Sequence, residues 1–403
     1  MGYVKMEDGK GSQGSSSERI VLIEMDEKRR PVWAEVDLDI VRENVRQISN
    51  KVHGNKITAV VKADAYGHGA DRVAKAIEDQ VDNFAVSVVE EAITLRENGI
   101  NKPIMVLSYT PQSYFKEALE NDFILNVLSY DYAEKLNQMA KSLGKKALVF
   151  VALDTGMERI GFSPEASGIA EIIKMKDLDS LSFESIYTHF AKADEKEKSF
   201  TNKQLALYEA AMNALKKNGM DFKSYHTANS AAIIDHEETY FDRVRPGIIL
   251  YGYYPSDEVD KDALRVKPAM TLKGQIIQLK TVKKGIGISY GHTFHTTREE
   301  TLVATIPIGY ADGYARRLSN KAQVIVGDTL CPQIGTICMD HIMVDVTKAK
   351  GVQVFDEVIL MGEKGGLAFT ADDMARLLGT INYEVICDLS PRVPRVYLDS
   401  KEK

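Results

Sequence analysis

The chain is 403 residues long, 44% hydrophobic and 27% charged, a composition suited to a water-soluble globular protein of two or three domains. Its net charge of −7, with no basic run interleaved with aromatics, excludes a nucleic-acid backbone binder. The apolar runs fall far short of the ~20 residues a membrane helix needs, and the cysteines (Cys331, Cys338, Cys387) and histidines form neither a disulfide framework nor a metal-ligand spacing, so a reduced, cytoplasmic, metal-free chain is expected.

Residues 1–30 are polar and rich in Ser and Gly, and read as a disordered or poorly structured tail without the basic start, apolar middle and cleavage site of a signal peptide. From residue 56 onward, short β-rich runs alternate with amphipathic stretches. The runs are 57–61, 84–89, 104–108, 124–129, 147–152 and 183–188, with weaker ones near 224–228 and 241–250. Between them, segments such as 70–79 and 132–143 place apolar residues at helical spacing. Strand–helix alternation of this length means parallel strands. Eight such units predict an α/β fold, an N-terminal (β/α)8 TIM-type barrel over 31–265, with an open doubly wound sheet as the alternative. The absence of a Rossmann glycine fingerprint after the first run favours the barrel.

After Pro268 the pattern changes. The runs 270–278, 301–308, 322–326 and 341–346 are separated by turns with little helix between, which predicts a mainly β C-terminal domain over 266–397. Residues 31–38 are able to pair with that domain rather than the barrel. One helix is expected near 370–379, with Thr370 as its cap ahead of an acidic first turn.

The ends of the barrel strands carry residues an apolar core does not select: Lys62, Asp154 with Arg159, His189, Asn229-Ser230 and Arg245. Each has an ordinary explanation, since Asp154 can open a turn, His189 can be a satisfied core histidine and Arg245 a surface charge. Together, at successive strand ends of one barrel, they suit an anionic, aromatic ligand with a phosphate and a carbonyl able to form a Schiff base with lysine.

The stretch AVVKADAYGHGA (59–70) closely resembles the pyridoxal-phosphate attachment signature of the alanine racemases. The resemblance continues through LDTGMERIGF (153–162), YTHFAKADE (187–195), HTANSAA (226–232), VRPGIILYG (244–252), GISYGHTF (287–294), PIGYADGYARR (307–317), ICMD (337–340), INYEV (381–385) and RVPR (392–395). It implies a fold-type III pyridoxal-phosphate enzyme, a homodimer with shared active sites, interconverting L- and D-alanine by two-base proton transfer. Lys62 then carries the cofactor and acts as the base for the D-enantiomer, and Tyr290, reaching the partner subunit's site, is the base for the L-enantiomer. Tyr66, Asn229, Ser230, Gly247, Ile248 and Tyr383 hold the phosphate; Arg245 faces the pyridine nitrogen, steadied by His226; His189 packs on the ring. Arg159, Tyr290 and Met339 meet the substrate, and Asp194, Tyr310, Arg316 and Asp340 line or support the corridor leading to it. The resemblance further implies a supply or consumption of D-alanine, with peptidoglycan precursors as one destination.

The sequence departs from the family at three positions. Ala152 stands where many members have a carbamylated lysine that braces the arginine matching Arg159. Thr336 and His341 stand where Arg and Gln are common, and Thr336 is expected to remove a cation from the corridor and leave more room there. A related racemase acting on serine, or on lysine or arginine, is therefore the alternative, while Tyr383 as a bulky wall keeps alanine first. A non-enzymatic cofactor-binding protein does not account for the β domain carrying Tyr290. A decarboxylase of the same fold type would need a cysteine motif that Cys387 lacks.

Overall fold

The computed structural model describes residues 30–401, so the tail reading lies, apart from Arg30, outside the described residues. The chain divides into two compact units, one of residues 40–268 and one of residues up to 39 together with 269 onward.

The first unit is built on eight parallel strands: β2 (Lys56–Val60), β3 (Asn83–Val86), β4 (Ile104–Val106), β5 (Ile124–Val127), β6 (Ala147–Leu153), β7 (Leu181–Thr188), β8 (Tyr225–His226) and β9 (Arg243–Val244). They pair in sequence order from β2 to β8, and β9 pairs with β2. Between β8 and β9 the ring is completed by backbone bonds from Asp242 N to Tyr225 O (3.1 Å) and Arg245 N to Ala228 O (2.9 Å). The (β/α)8 barrel is thus confirmed over the open sheet. Its strands read as apolar runs because both faces are covered: ALVFVAL in β6 is almost wholly buried. The weak runs at 224–228 and 241–250 shrink to two residues each, because Thr227 and the Arg245-Pro246-Gly247 stretch leave the ladder to form the barrel mouth.

The second unit is mainly β. Its sheet runs β11 (Gln278–Lys283), β14 (Glu300–Ile306), β17 (Ile342–Asp345), β16 (Thr329–Ile334), β15 (Gln323–Val326), β18 (Glu357–Lys364), β10 (Met270–Gln275), β1 (Val32–Asp37) and β20 (Arg395–Leu398). The short strand β19 (Leu367–Phe369) pairs with β18, and β12 (Gly287–Ile288) pairs separately with β13 (Phe294–His295). Alternation governs here: β10 buries every second residue, one face against the core and one outward. The edge strand β11 carries Lys280 and Lys283, charges that discourage pairing with another chain. Strand β1 lies in this sheet, antiparallel to β10 and parallel to β20, so residues 32–37 belong with the β unit rather than the barrel. No described helix is long and apolar enough to cross a membrane.

The helix Ala371–Leu378 has Thr370 as its N-cap: the Thr370 hydroxyl accepts from Asp373 N at 3.3 Å, and the Asp373 carboxylate accepts from Thr370 N at 2.7 Å. This reciprocal box satisfies two backbone donors that the helix start leaves open. Thr370→Ala is expected to destabilise the β unit by about 1 kcal/mol, read as a lower urea midpoint at unchanged slope.

Candidate functional site

Lys62 follows β2 and opens a turn, Lys62–Gly67, in which Ala63, Asp64, Ala65 and Tyr66 all hold left-handed backbone angles, with φ between 51° and 54°. For L-residues this conformation costs roughly 1–2 kcal/mol each, so the surroundings must hold it. Glu91 accepts from Ala63 N at 2.6 Å, and the Asp64 carboxylate accepts from Ala70 N at 2.7 Å. The buried ring of His68 directs Nδ1 at the carbonyls of Ala65 (3.1 Å) and Tyr66 (3.0 Å), which fixes that nitrogen as the donor. His68 also lies against Tyr251, 4.6 Å between ring centres, and Tyr251 packs on Tyr66 at 4.9 Å. The glycine-flanked histidine is therefore a staple of the turn that presents Lys62.

Tyr66 is brought beside Ser230 and Gly247. Gly247 N donates to Ser230 Oγ at 2.8 Å, and a methyl group added at Gly247 would lie 2.6 Å from the Tyr66 hydroxyl. Because Ser230 Oγ accepts from Gly247, its own proton is left to donate elsewhere. Asn229 caps the helix Ser230–Asp235, its side chain accepting from Ala232 N at 3.1 Å, and its Nδ2 donates to Phe190 O at 3.3 Å. Ile248 is buried and opens the short turn Ile248–Tyr251 directly after Gly247.

Arg245 is a buried guanidinium whose hydrogen bonds go to neutral groups: His226 Nδ1 at 2.7 Å, Thr188 O at 2.9 Å and Thr227 O at 3.0 Å. Burial pushes its pKa down to about 10, which leaves it charged at neutral pH. Its guanidinium carbon sits 4.8 Å from the centre of the Tyr187 ring, which stacks on His226 at an interplanar angle of 8°. Since Arg245 only donates, His226 Nδ1 must accept, and Nε2 then carries the proton toward Ser185 Oγ at 3.0 Å. Burial, then Arg245, hold the His226 imidazole neutral well below its ordinary range; burial and the charges of Arg245, Arg159 and Lys62 do the same to His189.

Asp154 is explained by local structure. Its carboxylate accepts from the N–H groups of Gly156 (3.1 Å), Met157 (2.9 Å), Glu158 (3.0 Å) and Arg159 (3.0 Å), so it shapes the loop that carries Arg159. Arg159 is exposed and lines a small cleft with Ala152, Met157, Tyr187 and His189. Among the described residues no carboxylate forms an ion pair with Arg159. Asp194 accepts from Ser256 Oγ through its carbonyl, at 2.8 Å.

The other candidates belong to the β unit. Tyr290, Tyr310 and Met339 are all exposed. Tyr310 N donates to Cys338 O and Ala311 N to Met339 O, both at 3.1 Å, which gathers these positions around the segment 335–341. Asp340 pairs with Arg392 at 2.7 Å, and that hydrogen bond lowers its pKa. Arg316 is exposed in the turn Arg316–Leu318, and Tyr383 lies on the helix Asn382–Cys387. Thr336 departs from its expected place. It is buried, and its hydroxyl donates to Tyr290 O at 2.8 Å, so it is a structural contact of the Tyr290 turn rather than an opening in a corridor.

Ser185 and Tyr187 were missed in the sequence. Period-two alternation back from His189 along β7 puts Tyr187 and Ser185 on one strand face, and that signal could have found them; beyond Ser185 the register shifts and the alternation breaks.

The two units define an α/β-barrel protein with an appended β domain. Residues 36–255 match the alanine racemase N-terminal domain and residues 269–397 the alanine racemase C-terminal domain. Alanine racemase 1 of Clostridium acetobutylicum is 48% identical over 93% of this chain and 97% of its own. The structure of an alanine racemase from Clostridium difficile 630 superposes with a TM-score of 0.87 at 46% identity, covering 92% of this chain and 97% of that one. An alanine racemase from Bacillus anthracis, solved with bound L-Ala-P, gives a TM-score of 0.86 at 36% identity over 93% of this chain and 96% of that one. The chain belongs to the alanine racemase family.

Neutral, buried His226 has a consequence for stability. Its folded pKa lies below the unfolded value of about 6.5, so the stabilisation is complete above that pH and declines as pH falls toward the folded value, by up to about 1.4 kcal/mol per pH unit. Urea titrations from about pH 7.5 down to about pH 5 are expected to show proton uptake on unfolding and a falling midpoint. A midpoint constant or rising over that window contradicts a neutral His226.

Proposed function

We propose that the barrel mouth holds pyridoxal phosphate on Lys62 and that Lys62 and Tyr290 are the two proton-handling residues of the reaction. The chain interconverts L-alanine and D-alanine; relatives at 46–48% identity carry that name, and serine, lysine or arginine as the principal substrate is not favoured.

The observation that carries the cofactor reading is the pairing of the Tyr66–Ser230–Gly247 cradle with an acid-free Arg245. Because residue 247 has no side chain, the Tyr66 and Ser230 hydroxyls converge on its backbone, a grouping of donors that suits an anion. Tyr66, Asn229, Ser230, Gly247, Ile248 and Tyr383 would hold the phosphate, with His189 against the ring. When bound, the cofactor supplies a conjugated system that stabilises the electron pair left on Cα after proton departure. Arg245 presents a donor whose proton is not readily surrendered, so a ring nitrogen facing it stays unprotonated. His226 accepts from Arg245 and keeps that donor oriented.

Racemisation requires a proton to leave one face of Cα and another to arrive on the opposite face, so two groups must flank it. Lys62 Nζ takes the proton of D-alanine and Tyr290 Oη that of L-alanine. Arg159 orients the substrate carboxylate. Met339 lies beside the reacting amino acid, while Asp194, Tyr310, Arg316 and Asp340 line or brace the approach. In this reading the protein is a cytoplasmic homodimer in which Tyr290 of one subunit serves Lys62 of the other, and D-alanine passes to or from wall-precursor chemistry.

Two experiments test it. Borohydride treatment of the yellow holoprotein should fix the cofactor on Lys62, and a label mapped to another lysine removes the assignment. Separately inactive Lys62→Ala and Tyr290→Ala proteins should recover part of the activity on mixing, up to about one quarter for random reassortment with one intact site per hybrid. Absence of recovery despite demonstrated subunit exchange means that both residues of a site come from one chain.

A further inference from the structure

The turn that presents Tyr290 is strained at the residue before it. Ser289 has φ 63° and ψ −170°, a region essentially reserved for glycine. Its Oγ donates to Thr336 O at 2.5 Å and lies 3.4 Å from Cys338 Sγ. Thr336 returns the contact, with Oγ1 donating to Tyr290 O at 2.8 Å.

The direction of the network can be deduced. A threonine hydroxyl has one proton, and Thr336 gives it to Tyr290 O. Thr293 Oγ1, 3.2 Å away, must therefore donate to Thr336, and Asn320 Nδ2 donates in turn to Thr293 Oγ1 at 3.0 Å. Asn320 Oδ1 accepts from Gly335 N at 2.6 Å, which fixes the orientation of the amide. The result is a one-way chain from Asn320 through Thr293 and Thr336 to the Tyr290 carbonyl, each link polarising the next. Gly335 permits the close approach: a methyl group there would stand 2.7 Å from Ile288 O and 3.0 Å from Ser289 Cβ. Thr336 is 4% exposed, whereas Tyr290 is 70% exposed within its own chain. Side-chain packing inside the subunit therefore leaves the phenol unfixed, and its direction is set through the backbone.

We propose that Thr336 is a positioning residue for Tyr290, its hydroxyl and the strained Ser289 together holding the backbone that aims the phenol. The proposal rests on the reading of Tyr290 as the base for L-alanine. A proton-transfer group displaced by a fraction of an ångström loses much of its rate while ground-state binding is little affected.

The test uses holoenzyme carrying Thr336→Val, which keeps the shape and removes the hydroxyl, and Thr336→Ser, which keeps the hydroxyl. Hydrogen exchange is followed on the peptide spanning 287–295, and primary isotope effects are measured with α-deuterated L- and D-alanine. For Thr336→Val the loss of one hydrogen bond is expected to speed exchange in that peptide roughly three- to tenfold and to lower kcat by a similar factor. KM should stay within about twofold. The isotope effect should rise for L-alanine and not for D-alanine, and Thr336→Ser should restore all three. Unchanged exchange overturns the tether. Faster exchange with kcat and isotope effects unchanged overturns the catalytic role. Full activity in Tyr290→Phe instead locates the failure in the two-base reading, because exchange would still report the tether.

Discussion

The left-handed turn at 63–66 is the constraint on which the barrel site depends. Four consecutive L-residues in that conformation would not persist in an isolated peptide, given a cost of roughly 1–2 kcal/mol for each. They persist because Glu91, the Asp64 carboxylate and the buried His68 ring tie down the backbone groups the turn leaves open. The turn lets the chain leave β2 with Lys62 at the strand end and Tyr66 folded back beside Gly247. A right-handed turn of the same length would send those two side chains in different directions. Lys62 and the Tyr66–Ser230–Gly247 group are thus coupled through one strained segment.

Electrostatics completes the arrangement. A buried guanidinium is ordinarily matched by a carboxylate, since removing one partner of such a pair leaves an uncompensated charge. Arg245 has instead two carbonyls, an imidazole and the face of Tyr187. Dipoles stabilise its charge without cancelling it, so the positive field reaches the mouth, where it adds to the effect of burial in keeping His189 neutral. A carboxylate placed there would quench that field and attract a proton of its own. The neutral partner set therefore matches a site built for an anion.

Much of this was legible in the sequence, for reasons that differ by element. Parallel barrel strands announce themselves because both faces are apolar, as in 147–153, and the β unit because its strands alternate, as in Met270–Gln275. The short strands Tyr225–His226 and Arg243–Val244 were overextended, since a run of apolar residues does not reveal where the chain turns out of the ladder. Lys62 and Arg245 stood out as charged residues at the ends of barrel strands, and Tyr290 through motif resemblance. Asp154 does stand at a strand end and lines the cleft beside Arg159, and of its two readings the turn-opening one accounts for its carboxylate: the four backbone bonds depend on a loop conformation that residue types alone do not encode. Thr336 was misread for a similar reason. As a missing cation it suggested open space, whereas a small hydroxyl residue beside Gly335 packs inward and finds a carbonyl.

Lys62 and Tyr290, the two residues proposed to handle the proton, share a structural device on unrelated scaffolds. Lys62 precedes a run of left-handed residues, and Tyr290 follows one residue in a glycine-only region. In both cases neighbouring side chains of the same unit supply hydrogen bonds to the strained backbone: His68 and Glu91 in the barrel, Thr336 and its donor chain in the β unit. Such strain persists only where the surroundings over-determine it. Its benefit is directional. A flexible lysine or an exposed tyrosine has little packing of its own to aim it, so precision has to come from the main chain, and an unusual backbone fixed by buried hydrogen bonds has few alternative conformations to relax into. The same reasoning explains why small polar residues such as Ser289, Thr293, Thr336 and Asn320 surround the Tyr290 turn. Larger apolar residues could bury more surface, but they could not satisfy the carbonyl and hydroxyl groups that the strained turn presents.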